Sequence, residues 1–381
     1  MQLSRTLAKR GHLVLHLYSG SNPTPHGNLN KLHTDSEDFH CFPLYLSQPF
    51  AKYSFVKRRF QEVEYGKILS REVHKFKPEV IISANTPLEA QNILLKSQRD
   101  QGTKFIYWLQ DLHGIAIKKI LHNKYYMLGD IVGYYYKHLE LSMLKRSDHV
   151  IAITEDFLPI LNQAHIKQEK LHIINNWAPL EELPIQPKDN PWARQHDLHD
   201  KVCFIYTGTL GLKHNPEMLV KLALHLQKRP DVKIVTISEG LGADFLRAKK
   251  DELGLDNLLL LGFQPFAALP QIHGAADILV AILEREAGIF SVPSKILSYH
   301  CAGRPLLLAV PADNLAARIV RENEAGVIVS PDDDQEFYAA AEKLLGDEEL
   351  RRRCGRNARN YAEKVFDIDK ITDKFERIIN G

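Results

Sequence analysis

Val202-Cys203-Phe204-Ile205-Tyr206-Thr207-Gly208-Thr209-Leu210-Gly211-Leu212-Lys213-His214-Asn215-Pro216-Glu217 is the stretch from which the fold can be read. Its first five residues are an unbroken apolar run, which suits a strand buried on both faces in a parallel sheet. Small residues follow and let the backbone turn closely. Asn215-Pro216-Glu217 then opens a helix, because Asn caps, Pro suits the first turn and Glu meets the positive end. Free N–H groups at that helix start and the mobile cation of Lys213 would together suit a pyrophosphate. The dinucleotide GxGxxG and phosphate-loop spacings are absent, and the turn alone is equally compatible with a plain strand-to-helix connection.

Working outward, the same alternation continues to the C-terminus. Strands are expected at 232–237, 258–261, 278–283, 305–309 and 326–329, and helices at 334–345, 348–365 and 369–379 close the chain. Toward the N-terminus, strands at 13–18, 39–44, 80–83, 105–110, 149–153 and 171–174 alternate with helices at 55–75, 87–101 and 129–145. Between the halves lie Pro179, Pro184, Pro187 and Pro191 among polar residues, where neither helix nor central strand persists. The fold expected is α/β, with two Rossmann-like doubly wound domains facing across a cleft. Their spans are 1–176, a linker at 177–200, 201–366, and a final helix at 367–381 that crosses back to the first domain.

The first domain opens on a helix closed by Gly11, whereas a doubly wound domain should open on a strand and a glycine-rich turn. The expectation is therefore a first domain lacking that N-terminal strand and loop, roughly twenty to thirty residues.

The 381 residues suffice for two cores, and 44% hydrophobic with 25% charged residues is an ordinary folded composition. A net charge of +2 without a long basic stripe gives no footprint for nucleic acid. Cys41, Cys203, Cys301 and Cys354 are scattered without a CxxC pair, which argues against a zinc knuckle or disulfide scaffold and suits the cytoplasm. No run of about 18 apolar residues offers a membrane span.

Three more loops fall at strand ends and so converge with the first in a parallel sheet. Ser238-Glu239-Gly240-Leu241-Gly242 and Gly262-Phe263-Gln264-Pro265 follow the second and third strands of the C-terminal half. Glu284-Arg285-Glu286-Ala287-Gly288-Ile289-Phe290-Ser291-Val292-Pro293-Ser294-Lys295 follows the fourth and runs into a helix bearing Ser298 and Tyr299. A carboxylate there can hold sugar hydroxyls, while N–H groups around Gly288, Ile289 and Phe290 can meet phosphate oxygens. A solvated acidic loop is the competing reading. In the N-terminal half, Asp111 and His113 follow directly on the strand at 105–110 and are the polar groups expected to face the cleft.

At Trp108-Leu109-Gln110-Asp111, Ala152-Ile153-Thr154-Glu155-Asp156, Asn175-Asn176-Trp177-Ala178-Pro179, Thr207-Gly208-Thr209-Leu210-Gly211 and the 292–305 segment, the chain resembles family 4 of the retaining glycosyltransferases. These have the double-Rossmann GT-B architecture, and the likeness is greatest to the WbuB/WcaI-type enzymes of O-antigen, capsule and exopolysaccharide synthesis. The resemblance implies transfer of a sugar with retention from a UDP- or GDP-sugar to a lipid-linked saccharide. The nucleotide sugar would be a co-substrate, with no cofactor and no divalent metal.

By the resemblance Lys213 grips the donor pyrophosphate, Glu286 lies near the donor sugar, and the loop with Phe263 contacts the base. Gly208, Thr209, Gly211, Glu239, Gly240 and Lys295 would complete the donor pocket. Ser298 stands where the family has a ribose-binding glutamate, and a hydroxyl lacks its charge and bidentate reach. Thr209 stands where an arginine is common, leaving neutralisation to Lys213, helix N-termini, Lys295 or Arg304. Asp111, His113 and Glu286 are the expected catalytic groups. Asp332-Asp333-Asp334 reads as a solvated turn and helix cap.

Two basic, aromatic-rich stretches, 52–60 and 117–126, and then Tyr134-Tyr135-Tyr136-Lys137, suit either an anionic membrane surface or an ordinary amphipathic helix with a solvated basic face. A polyprenyl-diphosphate-linked acceptor would explain them and would place the protein on the inner face of the cytoplasmic membrane. The alternatives are a catalytically impaired nucleotide-sugar-binding protein of the same fold and a nucleotide-sugar epimerase.

Overall fold

The computed structural model describes the chain except residues 22–26, 28, 52–53, 99–100, 212–213 and 288–291. Two compact units emerge, one holding Leu29–Asn175 with the start of the chain and Ile368–Gly381, the other Asn176–Asp367. Both are Rossmann-like α/β units.

The first unit carries two parallel sheets. β1 (Val14–Ser19) pairs with β2 (Phe39–Leu44), while β3 (Val80–Ala84), β4 (Lys104–Leu109), β5 (His149–Ala152) and β6 (Leu171–Ile173) lie in that order. The strands differ from expectation by one or two residues at their ends, because continuous apolar runs such as Val150-Ile151-Ala152 have no other way to be buried. The final helix, Ile368–Asn380, belongs to this unit. Ile371, Phe375 and Ile378 face inward at helical spacing, and the Phe375 ring meets Trp108 edge-on at 4.9 Å. Arg10 clasps its outer side through Asp373 and Glu376, each at 2.6 Å, and Lys104 donates to the Ile379 carbonyl.

The helical segment His113–Arg146 is not straight. In a straight helix residues 118 and 133 would stand about 22 Å apart. Here a Cβ on Gly133 would lie 2.6 Å from the Lys118 Cα, so the segment doubles back into two antiparallel arms. Only a residue without a side chain allows that approach. The sequence reading found the second arm and missed that 113–121 forms the first.

In the second unit β7 (Val202–Thr207), β8 (Val232–Ile237), β9 (Leu258–Leu261), β10 (Ile278–Ile282), β11 (Leu306–Ala309) and β12 (Gly326–Val329) form one parallel sheet. Its order is β12-β11-β10-β7-β8-β9. The chain runs outward from β7 to β9, then returns to the other side of β7 with β10. Strand order therefore reverses between β7 and β10, paired through Ile278 with Phe204 and Leu279 with Ile205. Cores cover both faces, with Phe204, Tyr206 and Phe337 on one and Ile205, Ile272 and Tyr299 on the other.

The proline-rich stretch read as a linker at 177–200 is folded onto this unit. Pro191 opens a short helix capped by Asn190, whose side chain accepts from the Ala193 N–H, and Trp192, Ala193 and Leu198 enter the core. The prolines are compatible with this because each sits outside a helix interior or at a helix start.

Candidate nucleotide site

At the point of reversal two strands end side by side while their following connections diverge to opposite faces, which leaves a crevice at their carboxyl ends. The turn after β7 and the loop after β10 are the two quoted stretches, Thr207-Gly208-Thr209-Leu210-Gly211 and the segment from Glu284 to Lys295.

The β7 turn is held from all sides. Gly208 has φ +106°, a conformation that side chains disfavour, and its N–H reaches the Ile237 carbonyl at 2.9 Å. Tyr206 donates its hydroxyl to the Thr209 carbonyl at 3.1 Å. The Leu210 N–H donates to Ser238 Oγ at 3.0 Å, and the Gly211 N–H to His214 Nδ1 at 3.0 Å. Behind it the buried Tyr299 hydroxyl accepts from the Thr207 N–H at 2.9 Å and donates to the Val280 carbonyl at 3.2 Å. Tyr299 thus ties β7 to β10 at the reversal. Burial pushes its hydroxyl up to about 12 and the adjacent His273 imidazole down to about 4, so the brace is neutral.

Lys295 is the cation the structure brings to this turn. Its Nζ stands 3.5 Å from the Tyr206 ring centroid, and a Cβ on Gly208 would meet its Cε at 3.5 Å and its Nζ at 3.7 Å. A Cβ there would only touch the ammonium in ordinary contact, so it is the positive φ that calls for glycine at 208. The loops after β7 and β10 are joined by one lysine.

The next two loops meet each other. Glu239 accepts from the Phe263 N–H at 3.1 Å, close against Gly262, while Gly240 has φ +95° and leads into the helix Leu241–Leu253. The backbone donor expected for the base is thus held by the Glu239 carboxylate. On the β10 side Glu286 lies in a short 3-10 turn, Arg285–Ala287. Glu284 beside it is pushed up by burial and by Glu286 and Asp332. Ser298 Oγ donates to the Lys295 carbonyl one turn back at 2.8 Å, which leaves the hydroxyl lone pairs for a ligand. Lys213, Gly288, Ile289 and Phe290 lie outside the described residues.

Arg304 does not serve as a phosphate cation. Its guanidinium is turned into the protein, donating to the carbonyls of Gly274 at 2.6 Å and Gln186 at 3.3 Å. Asp333 caps the helix Asp334–Gly346 by accepting from the Glu336 N–H. Among the described residues no group of three or more metal-ligating side chains gathers, and no helix is long and apolar enough to cross a membrane.

In the first unit Asp111 and His113 sit where β4 passes into the first arm. Behind them is a residue the sequence reading missed. Glu140, on the second arm, is fully buried and accepts from the Gly114 N–H at 3.0 Å. Burial pushes its carboxyl up to about 8, opposed by N–H groups of Gly114 and His113 and reinforced by the charge of Asp111. One acidic residue in an amphipathic run reads as solvent-facing, so no sequence signal short of the hairpin would have found it. His214 and Ser238 were within reach of the sequence, since both lie inside or beside the quoted loops.

Comparisons with known proteins agree in both halves. Residues 1–182 match the model described as Glycosyltransferase Family 4, and residues 189–361 the model described as Glycosyl transferases group 1. Each half of the chain is thus related to a glycosyltransferase family, within the GT-B fold. An uncharacterized glycosyltransferase of Methanocaldococcus jannaschii, MJ1069, is 24% identical over 256 residues, 65% of this chain and 64% of that protein. The match thus spans just under two thirds of that relative's length. A Campylobacter jejuni protein named N-acetylgalactosamine-N,N'-diacetylbacillosaminyl-diphospho-undecaprenol 4-alpha-N-acetylgalactosaminyltransferase is 27% identical over 177 residues, 46% of this chain and 45% of that one. The structure of Anabaena HepE in complex with UDP-glucose superposes with a TM-score of 0.70 at 16% identity, covering 96% of this chain and 98% of that one. That glycosyltransferase architecture leaves the donor, acceptor and stereochemistry to be argued from the site.

Proposed function

We propose that this glycosyltransferase moves a sugar, with retention, from a UDP- or GDP-sugar to a polyprenyl-diphosphate-linked saccharide in surface polysaccharide synthesis, in the manner of the WbuB/WcaI-type enzymes. The observation that carries the reading is Lys295 lying across Gly208 at the β7/β10 reversal. A diphosphate there would face a fixed cation beside a turn that its own N–H bonds and neutral hydroxyls hold in shape. Negative charge that develops on the leaving nucleotide is then met by groups that need not reorganise. HepE supports the donor class, since it is recorded with UDP-glucose, and the Campylobacter relative's name supports an acceptor carried on diphospho-undecaprenol.

In this reading Lys295, with Lys213, holds the diphosphate. Glu286 orients the donor sugar, and Ser298 offers one hydrogen bond to the ribose. The Phe263 N–H reaches the base once Glu239 yields it. Asp111 and His113 act on the sugar and acceptor, and Glu140 is a positioning residue behind them. Departing phosphate takes the acceptor's proton on the face it leaves, so retention needs no carboxylate nucleophile.

The test is incubation with UDP- and GDP-sugars and a polyprenyl-diphosphate-linked saccharide, with the anomeric configuration of the product read by NMR. A product with the donor's anomeric configuration is expected. An inverted product refutes retention, an altered free nucleotide sugar favours an epimerase, and binding without turnover favours the impaired nucleotide-sugar-binding protein.

A further inference from the structure

The strand order of the second unit singles out Glu239. From the β9 edge the strands run third, second, first, fourth, fifth and sixth in chain order, with the glycine turn after the first. That is the order of a dinucleotide-binding sheet, in which an acid following the second strand holds ribose hydroxyls. Here the second strand is β8, which ends at Ile237, and Glu239 stands just beyond it.

The loop that carries Glu239 is stitched to the Gly208 turn on both sides of that residue. Before it, the Gly208 N–H donates to the Ile237 carbonyl at 2.9 Å and the Leu210 N–H to Ser238 Oγ at 3.0 Å. After it, the Gly242 N–H donates to the Leu210 carbonyl at 3.3 Å, and a Cβ on Gly242 would come within 2.6 Å of that oxygen. Glycine at 242 thus lets the helix Leu241–Leu253 start hard against the turn. Neighbouring strands stand about 4.8 Å apart. A nucleotide whose diphosphate lies at β7 therefore carries its ribose past β8 and its base past β9.

Glu239 is exposed, and among the described residues no cation pairs with it. Asp244, in the first turn of the helix that follows, is by contrast held by Arg247 at 2.9 Å. A carboxylate has about four lone-pair sites, and Glu239 gives one to the Phe263 N–H. The rest suit the two O–H donors of a ribose. Ser298 offers less, because its own O–H goes to the Lys295 carbonyl and one uncharged oxygen cannot accept from both hydroxyls in the manner of a carboxylate.

We infer that Glu239 holds the ribose diol of the donor nucleotide, a task for which the serine at 298 lacks charge and reach. When the nucleotide binds, a carbonyl of the base takes the Phe263 N–H. The released carboxylate then accepts from the 2′- and 3′-hydroxyls, and no donor is left without a partner. The inference rests on the donor-site reading and adds the residue that tells a ribose from a deoxyribose.

The experiment is calorimetric titration of UDP and GDP, each with its 2′-deoxy and 3′-deoxy forms, into the whole chain. Wild type, Glu239→Ala, Glu239→Gln and Ser298→Ala are compared. Wild type is expected to bind its preferred ribonucleotide about tenfold or more tighter than either deoxy form, the effect of losing one hydrogen bond to a charged group. In Glu239→Ala the gap should close, with the ribonucleotide losing most. Glu239→Gln, of the same size, should keep a small part of the gap, and Ser298→Ala most of it. Equal binding of ribo and deoxy forms by wild type overturns the inference, as does a gap that disappears in Ser298→Ala. A gap that survives in Glu239→Ala while all forms weaken alike would put the carboxylate on the base and overturn it too. In each of these cases the donor-site reading stands. If wild type binds neither UDP nor GDP, that reading fails and the inference falls with it.

Discussion

The two units share a parallel α/β plan and differ in what surrounds their strand ends. In the second unit one six-stranded sheet reverses order between hydrogen-bonded neighbours, and the loops at that point are braced by hydroxyls and a neutral imidazole. In the first unit the strands lie in two sheets, and the β4 turn is backed by a carboxyl held on the edge of ionisation. The difference teaches that topology alone can place a binding crevice, whereas the chemistry behind the other turn depends on a fold-back that no strand pattern announces. It also gives the two units different responses to substitution and, on the alkaline side, to pH.

The largest effect that would sharpen this contrast is at Gly208. A side chain there must adopt φ +106°, with its Cβ in contact with Lys295. Gly208→Val should cost about 1–3 kcal/mol in strain and weaken UDP binding, read by thermal melting and titration calorimetry. Comparable substitution at Gly102 (φ +70°), with nothing within 4 Å, should spare UDP affinity.

A smaller effect separates the units by pH. Glu140 is raised from 4.5 to about 8 in the fold, so the folded state binds the proton more tightly than the unfolded state. Its contribution is complete below 4.5 and is lost as pH rises through about 8. His273 and His300 are lowered from 6.5 to about 4, so theirs is complete above 6.5 and is lost as pH falls through about 4. Hydrogen exchange resolved by segment should show alkaline loosening in the first unit, while acid loosening is shared, because His16 of the first unit is also lowered to about 4. Glu140→Gln should flatten only the alkaline response. An alkaline limb of equal size in both units would break the comparison.

The smallest expected change is at Tyr299. Tyr299→Phe removes the hydroxyl that serves the Thr207 N–H and the Val280 carbonyl and should cost about 0.5–1.5 kcal/mol, read as a lower melting temperature of the second unit. Unaltered exchange at Thr207 would show that the hydroxyl does not tie the strands.

Much of this was legible before any coordinates. The strands of both units are runs such as Phe204-Ile205-Tyr206 and Leu306-Leu307-Leu308, which only a sheet covered on both sides can bury, and their alternation with helices dictates parallel pairing. The turn at Gly208 and the loop ending in Lys295 were legible as a pair because strand ends converge. Three features were not. Arg304 looks like any basic residue near a phosphate loop until its carbonyl partners appear. Prolines at 179–191 read as a break, yet proline is also a helix opener, and Trp192 buries behind it. Glu140 and the doubled-back arms depend on a contact between residues 114 and 140, which helical periodicity contains no trace of.

The central claim is that the donor diphosphate binds where Lys295 crosses the Gly208 turn. Calorimetric titration of UDP into wild type, Lys295→Ala and Asp111→Asn tests it most directly. Removal of the ammonium should raise Kd by about tenfold to a hundredfold, the range for losing one charge-assisted contact, while Asp111→Asn leaves it unchanged. Equal affinity in wild type and Lys295→Ala, or a loss confined to Asp111→Asn, would contradict the account.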